Sequence, residues 1–114
     1  MRALTIAQPH AEAIMRGKKL VDYRSGSTTV RGRIYIYASD ERISDEDESD
    51  WLAEYDIVDQ WSEDLPRGVV VGTVDLWDCT ETADGFIWHF RLPVRETDMI
   101  APKNKPMGIW FNPF

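Results

Sequence analysis

Three side chains in the run Gly17-Lys18-Lys19-Leu20-Val21-Asp22-Tyr23-Arg24-Ser25 have complementary polar chemistry. Arg24 offers a planar fork of donors, Asp22 accepts from an amino group such as that of cytosine or adenine, and Lys19 neutralises a phosphate. Together they suit a polar base. Strict strand alternation puts Leu20, Asp22 and Arg24 on one face and Lys19, Val21 and Tyr23 on the other, so Lys19 joins the set only if the chain twists after Gly17. The plain alternative is an Asp22–Arg24 ion pair on a barrel rim. Ser25, Ser27, Thr28 and Thr29 could donate to phosphates, and Arg31 and Arg33 could extend a basic track. His10 falls in a first helical turn, where the dipole disfavours its protonated form, suiting a neutral hydrogen-bonding or general-base role against the ordinary reading of a surface residue. His89 reads as structural or exposed, and Cys79 as an idle thiol with no histidine near it in sequence. Trp77 and Trp110 are candidate stacking surfaces that compete with a core role.

The elements that position these groups follow from periodicity. Ala3-Leu4-Thr5-Ile6 alternates as a short strand ending at Gln8-Pro9, and Pro9 suits the first turn of a helix whose Ala11, Ile14 and Met15 share one stripe and whose stop is Gly17. Strands are expected at Lys18–Arg24, Arg33–Ala38, Val69–Trp77, Phe86–Arg91 and Gly108–Phe111, with Asp84-Gly85 as a tight turn and the Val69 strand central. Pro102 and Pro106 keep their segment out of any ladder. Ser44-Asp45-Glu46-Asp47 reads as a capping pattern opening an acidic helix near 45–61, with Trp51, Leu52, Tyr55, Val58 and Trp61 expected to dock on the core. Five to six strands joined mainly by turns, with two helices, predict an α+β class with a small, mostly antiparallel barrel core.

At 114 residues and 43% hydrophobic, the chain is expected to be one domain spanning 1–114 that folds without staples. One cysteine and two histidines leave no metal inventory, so no metal or cofactor is expected. No apolar run approaches the roughly 18–20 residues of a membrane span. With Met1-Arg2-Ala3-Leu4 leading straight into patterned sequence, a cytoplasmic monomer away from membranes is the expectation. Net charge is −7, unevenly spread. Arg2, Arg16, Lys18, Lys19, Arg24, Arg31 and Arg33 make residues 1–38 basic, whereas residues 39–64 carry twelve acidic groups against Arg42 alone. Any polyanion should therefore bind modestly, with few phosphate contacts and a clear salt dependence. The acidic block reads as a solvated helix face or, less simply, as a mimic of nucleic-acid charge or a partner-docking surface.

Gly17, Lys19, Asp22 and Arg24 occupy the four positions of a Gly-x-Lys-x-x-Glu-x-Arg strand, and the leading Gln8-Pro9 and the strands Gly32–Ala38 and Val69–Trp77 continue the likeness. On these residues the chain resembles the ASCH domain of the PUA-like superfamily over nearly its whole length. The terminal Ile109–Phe114 is similar to the ending of stand-alone bacterial members. The resemblance implies a PUA-like β-barrel with a cleft beside the first helix that binds RNA or a modified nucleoside. It also implies enzymatic relatives: amidohydrolases acting on N4-acetylcytidine, in which the strand reads Lys-Thr-x-Thr-x-Arg and the lysine activates a threonine nucleophile, and ribonucleases. Lys19 and Arg24 match that strand, but Asp22 stands at the nucleophile's position and Leu20 at the preceding threonine. A carboxylate there would give a mixed anhydride, so Asp22 is better read as an acceptor or as a base toward water. The expected ligand-binding set is Gln8, Lys19, Asp22, Arg24, Ser25 and Arg33, with Lys19 and Asp22 catalytic only if the protein is an enzyme. RNA or modified-nucleoside binding leads, with a nucleoside amidohydrolase or metal-dependent ribonuclease of the same fold and a protein-interaction adaptor working through the acidic 40–64 helix as alternatives. A polar pocket holding both Lys19 and Asp22 separates the first two from the third.

Overall fold

A computed structural model describes residues 1–114. Its elements in chain order are β1 (Ala3–Ile6), α1 (His10–Met15), β2 (Val21–Arg24), β3 (Gly32–Ala38), α2 (Asp45–Glu54), a 3-10 turn (Ser62–Asp64), β4 (Val69–Thr82), β5 (Gly85–Arg95) and β6 (Trp110–Phe111). The strands form one curled sheet in the order β2-β5-β4-β3-β1-β6, the half-barrel of a small α+β PUA-like fold. All neighbours are antiparallel except β1 and β3, which run parallel with Ala3 opposite Tyr35 and Ile6 opposite Ala38. β4 is central, and it is apolar on both faces at its start because Val70 and Val71 are buried on opposite sides.

The main core gathers Leu4, Ile6, Ile14, Ile34, Ile36, Val74, Leu76, Trp88 and Phe90 beneath α1. Each such side chain, fully withdrawn from water, stabilises by roughly 1.5–3 kcal/mol. α1 lies close on the sheet because Gly72 of β4 has no side chain. A Cβ there would stand 2.3 Å from the Val94 carbonyl oxygen and 2.4 Å from Met15 Sδ.

Both helices end in the same way, one foreseeably. After α1, Gly17 at φ 72° donates its N–H to Ile14 O and Lys18 donates to Ala13 O, which satisfies the orphan carbonyls of the last turn. After α2, Asp56 takes the left-handed conformation at φ 56°, Asp56 N–H bonds Ala53 O, and Ile57 N–H bonds Leu52 O. The expected helix to residue 61 therefore stops at Glu54. Its N-terminus is as expected, with Ser44 accepting from Asp47 N–H.

The shorter α2 overturns the docking of its apolar stripe. Leu52 is buried with Ile57 in a small cluster, but Val58 and Trp61 lie beyond the helix and are 87% and 74% exposed. Trp51 and Tyr55 turn toward α1 instead of the main core. Nor is the acidic block uniformly solvated. Glu48 is fully buried, where it accepts from Arg42, Arg67 and the Ser62 hydroxyl. The strands also depart from expectation in length: the first pairing residue of β2 is Val21, while β4 and β5 extend to Thr82 and Arg95. No helix is long and apolar enough to cross a membrane.

Candidate functional site

The turn at Gly17 does more than end α1. Lys18 and Lys19 both donate their backbone N–H to Ala13 O, so the chain is folded back before β2 begins, and Lys19 is freed from strand alternation. Its side chain enters the same cavity as Asp22 and Arg24. That cavity, about 210 Å³, lies where the curled sheet brings β1 near β2, and is lined by Thr5, Ile6, Ala7, His10, Lys19, Asp22, Tyr23 and Arg24.

Asp22 and Arg24 stand on the inward face of β2, opposite Trp88 and Phe86 of β5. Arg24 Nε donates to Asp22 Oδ2 at 2.6 Å, and the guanidinium lies 5.1 Å from the Trp88 ring centroid. The ion pair of the plain alternative thus exists, but inside the cavity. It leaves Asp22 Oδ1 without a protein donor. Lys19 has no carboxylate within ion-pairing distance; its ammonium sits 5.9 Å from the Tyr23 ring. Burial pushes the Lys19 ammonium below its usual range, the Asp22 charge opposing this and the Arg24 charge adding to it. A desolvated cation beside an incompletely engaged carboxylate is an arrangement that a polar ligand completes.

His10 closes one side. Its Nδ1 is 2.6 Å from the Tyr55 hydroxyl, and Trp51 packs edge-on against its ring at 4.8 Å. Burial, then the Lys19 charge, lowers the His10 pKa, while burial with the Asp22 and Glu54 charges pushes the Tyr55 phenol up to about 12. At neutral pH the phenol keeps its proton and has His10 as its only partner. Donation from the hydroxyl to Nδ1 leaves Nε2 to carry the ring proton. His10 is thus a half-buried, neutral wall of the cavity, not the surface residue of the ordinary reading.

The remaining expected residues lie elsewhere. Gln8 is buried outside the lining: its Nε2 donates to Pro66 O and its Oε1 accepts from Glu12 N–H, so it holds the start of α1. Ser25 follows β2 on the exposed surface. Arg33 is exposed on β3, donating to Leu92 O and Thr73 Oγ1. Trp110 stacks on buried Trp88 at 5.8 Å, and Trp77 stands on the outer face beside His89 and Arg91. His89 bonds Thr80 Oγ1 through Nε2, and Cys79 packs against the core.

Two supporting groups escaped the sequence reading. Helical spacing places Tyr55 in the core stripe, whereas in the structure its hydroxyl fixes His10. Glu12 is buried under α1 and takes both terminal nitrogens of Arg95 at 3.0 and 2.8 Å and Arg16 Nε at 2.7 Å. Burial alone would raise its carboxyl, but the hydrogen bonds and charges of Arg95 and Arg16 outweigh that and hold it below its usual range. The i,i+4 spacing of Glu12 and Arg16 was a readable signal; Arg95, 83 residues away, was not.

The sequence profile described as "ASCH domain" matches residues 4–91. Among curated proteins, Activating signal cointegrator 1 of Mus musculus is 38% identical over 80 residues, which is 67% of this chain and 14% of that protein. The Homo sapiens protein of the same name is 36% identical over 80 residues with the same coverage. The chain therefore corresponds to a small part of these relatives.

Proposed function

The chain belongs to the ASCH domain family, and from that premise we propose that it binds a nucleobase, carried by RNA or by a modified nucleoside, in the cavity between α1, β1 and β2. The observation that supports this best is the incomplete pairing there: Lys19 without a carboxylate partner, beside an Asp22–Arg24 pair with one carboxylate oxygen unengaged. Asp22 Oδ1 accepts from an exocyclic amine, Arg24 and neutral His10 donate to ring acceptors, and Lys19 faces a carbonyl or phosphate oxygen. Tyr23, 70% exposed at the rim, offers a face for stacking. About 210 Å³ is below the roughly 300–1,000 Å³ of a site for a drug-sized ligand, which fits one base and not a run of bases. Ser25 lies just beyond β2, within the expected track of an attached sugar-phosphate. Gln8 serves this reading as a strut for α1, and Arg33 only as a distant positive charge.

The test is a panel of cytidine, adenosine and N4-acetylcytidine, followed by thermal shift and by chromatography for released cytidine. A nucleoside at a hundredfold excess over its Kd should stabilise the fold by about 2.7 kcal/mol. The expected result is a shift without rapid turnover, because Asp22 stands where a threonine nucleophile would be. Fast release of cytidine that disappears in Lys19→Ala and Asp22→Asn would make the protein an amidohydrolase. No shift with any of the three would refute the binding reading.

A further inference from the structure

The apolar residues that α2 does not carry into the core form a surface of their own. Past the left-handed stop at Asp56, exposed Val58 and Trp61 border a groove of about 320 Å³ against the end of α2. Leu52 and Ile57, both buried, make its floor, and Ala53 stands exposed beside them. It shares no residue with the nucleobase cavity. The groove is also held in shape by the fold itself. Leu52 and Ile57 pack with Ala13 and Leu65, Ile57 N–H bonds Leu52 O, and the Ser62 hydroxyl in the lining donates to buried Glu48. A preformed apolar groove loses little to ordering when it is filled, and an exposed tryptophan is the side chain that contributes most when a partner covers it.

Charge decides what covers it. Exposed carboxylates flank the lining on every side in sequence: Asp50 and Glu54 on α2, Asp56 and Asp59 around Val58, and Glu63 after Ser62. The nearby arginines are already engaged, Arg16 with Asp59 and both Arg42 and Arg67 with Glu48, while Lys18 reaches only the Asp56 carbonyl. Asp50, Glu54, Asp56 and Glu63 pair with no cation. A phosphate backbone or an anionic lipid surface meets repulsion here, and a second copy of this chain brings a net charge of −7 of its own. A polypeptide segment with an apolar anchor between Lys or Arg side chains fits both features. The anchor fills the groove, the cations meet the unpaired carboxylates, and a guanidinium can lie on the open face of Trp61.

We propose that the groove between α2 and Trp61 docks a basic peptide segment of a partner protein through an apolar anchor. This surface acts independently of the nucleobase cavity.

Selection of random peptides from a displayed library on the wild-type protein tests it. The selected peptides are then titrated in solution against the wild type, Trp61→Ser, and a double variant with Asp50→Asn and Glu54→Gln. The selected sequences should combine Lys or Arg with a large apolar residue, and their binding should weaken with added salt. Trp61→Ser should weaken them about tenfold or more, and the double variant about two- to thirtyfold, the worth of two exposed charge pairs. Both variants should melt as the wild type does and bind cytidine equally well, because the replaced side chains are exposed and lie outside the nucleobase cavity. Failure to select any sequence, or binding that Trp61→Ser leaves intact, would overturn the docking groove. Selected sequences without basic residues, or binding untouched in the double variant, would overturn the basic partner. Self-association in sedimentation that Trp61→Ser abolishes would make the occupant a second copy of the chain and overturn the proposal.

Discussion

Glu12 and Asp22 are both carboxylates paired with arginine at the edge of the same short helix, yet their surroundings differ in one respect that decides what each does. Glu12 has both oxygens engaged by Arg95 and Arg16, and Arg16 is further held by Asp59. Asp22 has one oxygen engaged, and the nearby ammonium of Lys19 is matched to nothing. A saturated buried cluster is finished by the protein itself, and breaking it leaves an uncompensated charge. An unsaturated one leaves hydrogen-bonding capacity over for a ligand. Glu48 differs from both: Arg42, Arg67 and the Ser62 hydroxyl all engage its Oε1, while Oε2 is buried without a partner and sealed from solvent, whereas Asp22 lines a cavity that a ligand can enter.

The comparison breaks first at Glu12. Glu12→Ala should lose about 3–5 kcal/mol of stability, read by chemical denaturation, because it strands Arg95 and Arg16 around a buried gap. Asp22→Asn should instead weaken nucleoside binding by a charge-assisted hydrogen bond, about 1.5–3 kcal/mol or roughly ten- to hundredfold in Kd, with stability changing by less than about 1 kcal/mol. Lys19→Met removes a desolvated cation with no ion-pair partner, so the free protein should be as stable as the wild type or more so, by at most about 1 kcal/mol, while nucleoside binding is lost. The smallest effect is that of His10. Its depressed pKa means that the unfolded chain takes a proton near 6.5 and the folded chain only at lower pH. Stability should therefore fall as pH drops from about 6.5 toward that lower value, and this part of the pH dependence should be missing from melting curves of His10→Gln.

How much of this was legible in the sequence depends on the range of the interaction. The two helix ends show it: Gly17 announces a left-handed stop by its lack of a Cβ, whereas Asp56 adopts the same conformation without that signal, stabilised by Leu52 and Ile57 packing across the turn. Missing that stop moved Val58 and Trp61 from the surface into an expected core. The alternation of β1, β3 and β4 was readable because each strand has its own period. The chemistry of Lys19, Asp22 and Arg24 was readable as residue types, and the Gly17 turn supplies the geometry by which Lys19 joins the other two. Tyr55 beside His10 and Arg95 on Glu12 join positions 45 and 83 residues apart, contacts that only the folded sheet and the docking of α2 create. Gln8 shows the converse: its position beside the site was evident, but the interior partners that occupy both ends of its amide were not.

Incomplete pairing at an open cavity marks the working site, and one paired measurement tests that directly: calorimetric titration of cytidine into wild-type protein and Asp22→Asn, with a thermal melt of each. The account predicts an Asp22→Asn protein that melts within a few degrees of the wild type and binds cytidine at least about tenfold more weakly. An Asp22→Asn protein with unchanged cytidine affinity and a melting temperature lowered as far as that of Glu12→Ala would contradict it, and would place the Asp22–Arg24 pair among the fold's own struts.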